Sequence, residues 1–275
     1  MQSEIRYPSV IKNLKSFFGE MHISTMIRQD SVKYADLRRR GVIGRCPASE
    51  STIRMELSKL RASFRFMVEK YEPKEGRLDL RMVPYIEQPA PSPPRDLVFS
   101  REDLDRIYDY SLVDRNRQIR GPKNRISREG RFCIIAMETA QRKTAILELK
   151  WDQVDWDKLL IKFNPYGRNQ TSKRRPPLPI SDRLLILLKQ AYEDRINEFV
   201  VDSSTDIHFG VKRIFRELGL SGSPHTFRHT WATHAIEDGM PILKVAKFLG
   251  DTEETVRENY EHLSPDYLRD VINRK

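Results

Sequence analysis

At 275 residues the chain has room for one large domain or two ordinary ones, and 39% hydrophobic with 32% charged residues is the composition of a soluble globular protein. No apolar run approaches the roughly 20 residues a membrane helix needs, and no signal-peptide apolar stretch opens the sequence. A formal charge of +10 and a pI near 9.6 argue for a polyanionic partner and against an acidic, solvating chain. The two cysteines, Cys46 and Cys133, lie far apart without metal-ligand or disulfide spacing; they read as buried spectators in a reducing, intracellular setting.

The first part of the chain reads as helical. Apolar spacing predicts a short helix over 10–18, a second over 31–40 stopped by Gly41, and a longer one over 51–71, where Ile53, Leu57, Leu60, Phe64 and Met67 recur on one face. Pro84, Pro89, Pro91, Pro93 and Pro94 then preclude regular helix or central strand, predicting an extended, semi-rigid linker. The expected organisation is a basic helical bundle over 1–83, a linker over 84–96 and a second unit over 97–275. There, Ser100-Arg101-Glu102-Asp103 carries a capping-box pattern for a helix through Tyr110, and 126–139 reads as an apolar helix. Residues 159–163 are the best strand candidate and 176–180 its partner, with the polar, basic loop 164–175 and Gly167 between them as a β-hairpin. Helix returns from Ser181 and continues with short turns to Asp270. The predicted class is mainly α with a small β-hairpin, an α+β fold.

Positive charge is concentrated in Arg38-Arg39-Arg40, in the series Lys123, Arg125, Arg128 and Arg131, and in Lys173-Arg174-Arg175. Residues 1–96 carry 18 Lys and Arg against 12 Asp and Glu, and residues 97–275 carry 31 against 27, so both halves are suited to one polyanion. A solvated helix face explains any single run equally well, above all Arg38 to Arg40.

The segment Pro224-His225-Thr226-Phe227-Arg228-His229 concentrates chemistry. His225, Arg228 and His229 stand at i, i+3 and i+4, one face of a helix that Ser223 and Pro224 can start. Such groups at a helix N-terminus form an anion site, while Phe227, Trp231 and Ala235 make a stripe for a core. His225 and His229 also have the spacing of a zinc pair. Arg228 would place a cation beside that metal and no Glu fills the slot of a His-Glu-x-x-His site, so no metal is expected. Tyr260, four residues after Val256, taken alone is a core tyrosine with its hydroxyl at the rim.

Read together, Arg142 after Glu138-Thr139-Ala140-Gln141, Lys173 in the hairpin, His225-Thr226-Phe227-Arg228-His229-Thr230, then Leu249-Gly250 and Tyr260 ten residues after that glycine form an ordered set. This set resembles the tyrosine recombinase (phage integrase) family over nearly the whole chain. The resemblance implies an N-terminal core-binding domain and a catalytic domain clamped around double-stranded DNA, a homotetramer on two recombination sites, and accessory DNA-bending or directionality proteins. It further implies a cytoplasmic, nucleoid-associated protein without a separate arm-binding domain, with 263–275 as a segment for docking on a neighbour. Arg38, Arg39, Arg40, Lys123, Arg125, Arg174 and Arg175 are the expected DNA contacts.

The chemistry agrees with that resemblance. Bidentate cations hold the non-bridging oxygens of a phosphodiester best, which favours Arg142 and Arg228 as clamps for the charge of the pentacoordinate transition state. Tyr260 is the nucleophile and, with a free pKa near 10, needs help at neutral pH from the guanidinium groups and from His225 as proton acceptor or hydrogen-bond partner. Lys173 protonates the departing 5′ oxygen, or is an ordinary phosphate contact beside Arg174 and Arg175, three basic residues competing for one role. The product is a 3′-phosphotyrosyl link whose bond energy is retained, so no cofactor or metal is expected. His229 is read as a supporting histidine.

Two positions depart from the family pattern. The residue after Leu249-Gly250 is usually His or Trp, a phosphate donor; Asp251 accepts only. It then either points away and caps the next helix, yields the donor role to a neighbour, or lowers activity. The position three residues after Arg142, commonly acidic, is Ala145. Two rivals use the same residues: a topoisomerase-like enzyme that religates one strand, and a DNA-binding protein with a decayed active site.

Overall fold

A computed structural model describes residues 7–70, 84–91, 97–113, 125–169, 171 and 173–263. The chain divides into two compact units, Met1–Arg95 and Asp96–Lys275.

In the first unit α1 (Tyr7–Phe18), α2 (Arg28–Arg39) and α3 (Glu50–Lys70) enclose a core of Phe18, Tyr34, Ile53, Leu57, Leu60 and Phe64. Helix α2 starts three residues before the expected Ser31, because the Asp30 carboxylate accepts from the Ile27 amide at 2.9 Å and closes an earlier turn. Inside the core, Glu56 accepts from Tyr34 Oη at 2.8 Å, from Arg38 Nε at 2.8 Å and from Asn13 Nδ2 at 3.0 Å. A buried carboxylate is tolerated there because Tyr34, Arg38 and Asn13 all donate to it. The start of the proline-rich segment, 84–91, is irregular as expected. It lies along this unit: Ile86 joins the core, Glu87 pairs with Arg28, and the Pro89 carbonyl accepts from Arg54 Nη1 at 2.5 Å.

The second unit is built around α5 (Arg128–Thr139), where the consecutive residues Phe132 to Ile135 are fully buried. A helix enclosed on all sides carries no one-sided pattern, which is why it reads simply as an apolar run. Ser127 caps it, accepting from the Gly130 amide at 2.9 Å. Gly130 also lets α4 (Arg101–Val113) approach, since a Cβ there would stand 2.5 Å from the Ser111 carbonyl oxygen. The predicted capping box opens α4: Ser100 Oγ accepts from Asp103 N at 3.0 Å while Ser100 N donates to the Asp103 carboxylate at 3.3 Å.

After the short α6 (Lys143–Leu147) comes a three-stranded antiparallel sheet in the order β1 (Val154–Asp155), β2 (Leu160–Lys162), β3 (Pro177–Pro179). The predicted hairpin is β2–β3, with Ile161 opposite Leu178. Val154, Ile161 and Leu178 face the core, and the prolines of β3 sit on an edge strand that need not donate on its outer side. The two-residue β1 is too short to leave a periodic signal.

Helices α7 (Asp182–Glu193), α8 (His208–Glu217), α9 (Thr226–Glu237), α10 (Ile242–Leu249) and α11 (Glu253–Tyr260) complete the unit. The expectation that α9 is packed on one side and chemically armed on the other needs correction. Its Phe227 packs at a tilt against Phe99 and Phe215, while Ala232, Ala235 and Ile236 enter a separate cluster with Val245, Leu249 and Val256. Lying between two apolar clusters, α9 is buried almost all round. Cys133 is buried as expected, but Cys46 is exposed. No helix among the described residues is long and apolar enough to cross a membrane. The 264–275 part of the predicted docking segment lies outside the described residues.

Candidate active site

The site forms where the ends of α5, α10 and α11 meet the start of α9. Helix α5 stops at Ala140, whose φ of 50° is left-handed, a conformation that costs a non-glycine residue energy. Its carbonyl accepts from Arg228 Nη1 at 3.0 Å, so the strained turn fixes one arm of that guanidinium. Arg142 immediately precedes α6, and its Nη1 donates to the Arg174 carbonyl at 3.1 Å. Gly250 ends α10 at φ 69°. A Cβ there would lie 2.7 Å from both the Arg174 carbonyl oxygen and Pro176 Cδ, so only glycine lets the next loop abut the return of the hairpin.

That loop delivers Asp251 into the clamp. Arg142 Nη2 donates to one carboxylate oxygen and Arg228 Nη2 to the other, leaving one anion bridging two cations. Of the three roles open to Asp251, pointing away to cap α11 is therefore overturned. Thr252 is the cap, accepting from the Thr255 amide at 3.2 Å. Asp251 also supplies the acidic partner of Arg142 that Ala145, buried in the core, does not. The Arg142, Asp251 and Arg228 side chains are 22%, 20% and 4% exposed, so Arg228 stands behind the other two.

Tyr260 ends α11, whose Val256 is anchored in the α9–α10 cluster. Its hydroxyl lies 2.6 Å from His229 Nδ1, its hydrogen-bond partner among the described residues. Burial, opposed by the charge of Arg228 and reinforced by that of Asp251, pushes the phenol up to about 12. His225 occupies the N-cap position of α9 with its ring edge-on to His229 at 4.5 Å, and does not bond Tyr260. The protein packed around it, then its electrostatic coupling to His229, Arg228 and Arg142, holds its pKa down at about 4. Its exposed side admits water, which tempers the desolvation part of that push.

Two arginines converging on one anion beside a hydrogen-bonded tyrosine is a geometry for phosphoryl transfer. Residues 98–266, more than half of the chain, match the phage integrase family. The chain belongs to the phage integrase family. Among its relatives, tyrosine recombinase XerA of Thermococcus kodakarensis is 24% identical over 275 residues, spanning 96% of this chain and 85% of that protein. Tyrosine recombinase XerC of Anoxybacillus flavithermus is 23% identical over 279 residues, spanning 94% and 87%. Two solved structures share the fold. The Tn1549 transposon integrase in complex with a circular intermediate DNA has a TM-score of 0.73 at 13% identity, over 100% of this chain and 94% of that one. The XerH site-specific recombinase bound to difH substrate has a TM-score of 0.68 at 15% identity, over 98% and 79%.

In this phage integrase family member the structure brings Arg142, Arg228, His225, His229, Asp251 and Tyr260 together. Lys173 is exposed in the hairpin, next in sequence to Arg174, whose carbonyl holds Arg142. The basic residues expected on DNA divide sharply. Arg174 is exposed; Arg39 and Arg40 are exposed and paired with Glu50 and Asp36. Three expectations need correction. Arg38 is buried against Glu56, Arg125 is buried against Asp202, and Arg175, 9% exposed, pairs with Glu148 at 2.7 Å. Their cations are matched by carboxylates of the same unit. The Arg125, Arg128 and Arg131 series organises one loop: Arg131 shares Asp202 with Arg125, and Arg128 donates to the Val201, Ser203 and Thr205 carbonyls. Lys123 lies outside the described residues.

The sequence reading missed the contact of His229 with Tyr260 and the inward aim of Asp251. A signal for the second was present: an acid missing at Ala145 and an extra one at Asp251.

Proposed function

We propose that this phage integrase family member is a site-specific DNA recombinase that cuts and rejoins duplex DNA by transesterification through Tyr260. The observation that carries the reading is the convergence of Arg142 and Arg228 on a single anion, at a site whose charges act on the Tyr260 hydroxyl. A scissile phosphate takes the place of the Asp251 carboxylate, its non-bridging oxygens held by the two forks. The Tyr260 oxygen attacks phosphorus, and the 5′ oxygen leaves with a proton from Lys173. A 3′-phosphotyrosyl bond results, and attack by a 5′ hydroxyl reverses it. Fixed cations supply the charge stabilisation that a metal provides elsewhere, so the scheme draws on no cofactor.

In this reading the protein works as a homotetramer on two recombination sites in the cytoplasm, associated with the nucleoid, with accessory DNA-bending or directionality proteins. Support comes from the fold it shares with a lambda integrase tetramer bound to a Holliday junction, at a TM-score of 0.67 over 100% of this chain and 16% identity. Exposed Arg39, Arg40 and Arg174 serve as DNA contacts. The two-unit division supports a DNA-binding unit over 1–83 and a catalytic unit over 97–275.

The test is covalent trapping. A duplex bound by the full chain is selected from a randomised pool, nicked so that the cleaved end diffuses away, and scored for a protein–DNA adduct. An adduct that Tyr260→Phe abolishes supports the reading. Lack of any adduct leaves only a DNA-binding protein, and supercoil relaxation without strand exchange identifies a topoisomerase.

A further inference from the structure

We infer that His229, the residue after the clamp arginine, is the general base that takes the proton from Tyr260, in the place expected of His225. The inference rests on the recombinase reading above and names the proton's destination within it.

The contact is direct. Tyr260 Oη and His229 Nδ1 are 2.6 Å apart, within the reach a general base requires before any question of acidity arises. Both partners are held. His229 sits in the first turns of α9, flanked by buried Arg228 and Thr230, and Thr230 Oγ1 accepts from the Phe99 amide at 3.0 Å. Tyr260 is tied to the same helix through the cluster of Ala232, Ala235, Ile236 and Val256. The geometry therefore belongs to the packing of α11 on α9. His225 is the weaker candidate: it does not bond Tyr260, and its ring meets His229 edge-on at 4.5 Å. The charged and titratable groups around the pair are His225, Arg228, Arg142 and Asp251.

The need for a base is severe. A phenol pushed up to about 12 is almost wholly protonated at neutral pH, so attack without a proton acceptor draws on a vanishing phenolate fraction. With Nδ1 as acceptor, the ring proton sits on Nε2. In the forward step the Oη–H bond breaks and its proton passes to Nδ1, while the oxygen electron pair forms the bond to phosphorus. The P–O5′ bond then breaks with its electron pair on the 5′ oxygen, which Lys173 protonates. In rejoining, the 5′ hydroxyl gives its proton to Lys173 and attacks phosphorus, and the imidazolium returns its proton to Tyr260. No redox change or further reactant is involved.

The experiment measures single-turnover adduct formation by the full chain on the selected nicked duplex, for the unsubstituted protein, His229→Gln, His229→Ala and His225→Gln. The His229 variants are expected to be slower by on the order of 10²–10⁴-fold, with DNA affinity changed less than about threefold. In His229→Gln the rate should climb about tenfold per pH unit through the neutral range, as hydroxide takes over ionising the phenol. Imidazole in the buffer should partly restore His229→Ala. A 5′-bridging phosphorothiolate substrate, whose leaving group needs no proton, should rescue Lys173→Ala but not His229→Gln. Rescue of His229→Gln by that substrate overturns the inference, as does a rate in the His229 variants equal to that of the unsubstituted protein. A loss in His225→Gln exceeding that in His229→Gln also overturns it. If the unsubstituted protein forms no adduct, the recombinase reading itself fails, an outcome distinct from all of these.

Discussion

Arg228, the more buried of the two clamp arginines, is matched in this structure by the carboxylate of Asp251, which Arg142 holds from the opposite side. The two carboxylate oxygens occupy the forks that would otherwise receive two phosphate oxygens. In the proposed reaction the protein thus carries its own anion where the scissile phosphate would sit.

Removing that charge should have opposite effects on stability and reaction. Asp251→Asn leaves two guanidinium groups without an ionised partner, one of them buried, and should lower stability by about 1–3 kcal/mol. In a unit of this size that is roughly 3–9 °C in Tm, read by calorimetry on the full chain. The same change removes a competitor of the scissile phosphate, so single-turnover adduct formation should rise about tenfold, equivalent to about 1.4 kcal/mol. Slower adduct formation in Asp251→Asn would show that the carboxylate aligns the arginines instead of blocking them.

Lysine should not replace Arg228. Two of its donors point in different directions, one to the Ala140 carbonyl at 3.0 Å and one to the anion seat, and an ammonium lacks that planar fork. Arg228→Lys should slow adduct formation by about 10²–10³-fold while equilibrium DNA binding weakens by less than about tenfold. Comparable losses in both measurements would place Arg228 in simple binding.

The depressed His225 sets a direction for pH and stability. Folded His225 protonates near pH 4, and the unfolded residue near the ordinary value of about 6.5. Between those values the unfolded chain binds more protons, so this residue's contribution to stability is intact above about pH 6.5 and is lost as pH falls toward 4. Tm measured from pH 7 to 4.5 should fall less steeply in His225→Gln than in the unsubstituted protein. Parallel slopes would contradict the assignment.

The basic residues should separate into two classes by salt dependence. Arg174→Ala should weaken DNA binding and flatten its log–log salt slope by roughly one unit. Arg175→Ala, which strips Glu148 of its partner, should lower stability and leave the slope unchanged. A slope change in Arg175→Ala would mean that its ion pair opens on DNA.

A parallel contrast holds in the first unit. Glu56→Ala leaves Arg38 buried without a counter-charge and should destabilise that unit by about 3–5 kcal/mol. Arg40→Ala, which removes an exposed pair at 3.5 Å, should change stability by less than about 0.5 kcal/mol. Urea unfolding of the full chain reads both.

Residue order and local period carried much of this protein. The spacing of Ile53, Leu57, Leu60 and Phe64 is enough for α3, the Ser100 and Asp103 pair for the start of α4, and two short apolar segments around a polar loop with Gly167 for the hairpin, because each signal lies within one element or across one turn. The succession of Arg142, Lys173, His225, Arg228 and Tyr260 likewise placed the chain in its family. Tertiary structure alone decided which cations face solvent and which charge sits between Arg142 and Arg228. Arg142 meets Asp251 across 109 positions and Arg125 meets Asp202 across 77, distances over which no periodic pattern survives. An arginine in a basic run looks the same in sequence whether solvent, DNA or a buried carboxylate matches it; burial and the partner's position make the difference. His229 and Tyr260 meet for the same reason, since only the packing of α11 on α9 brings a phenol and an imidazole 31 residues apart to hydrogen-bond distance.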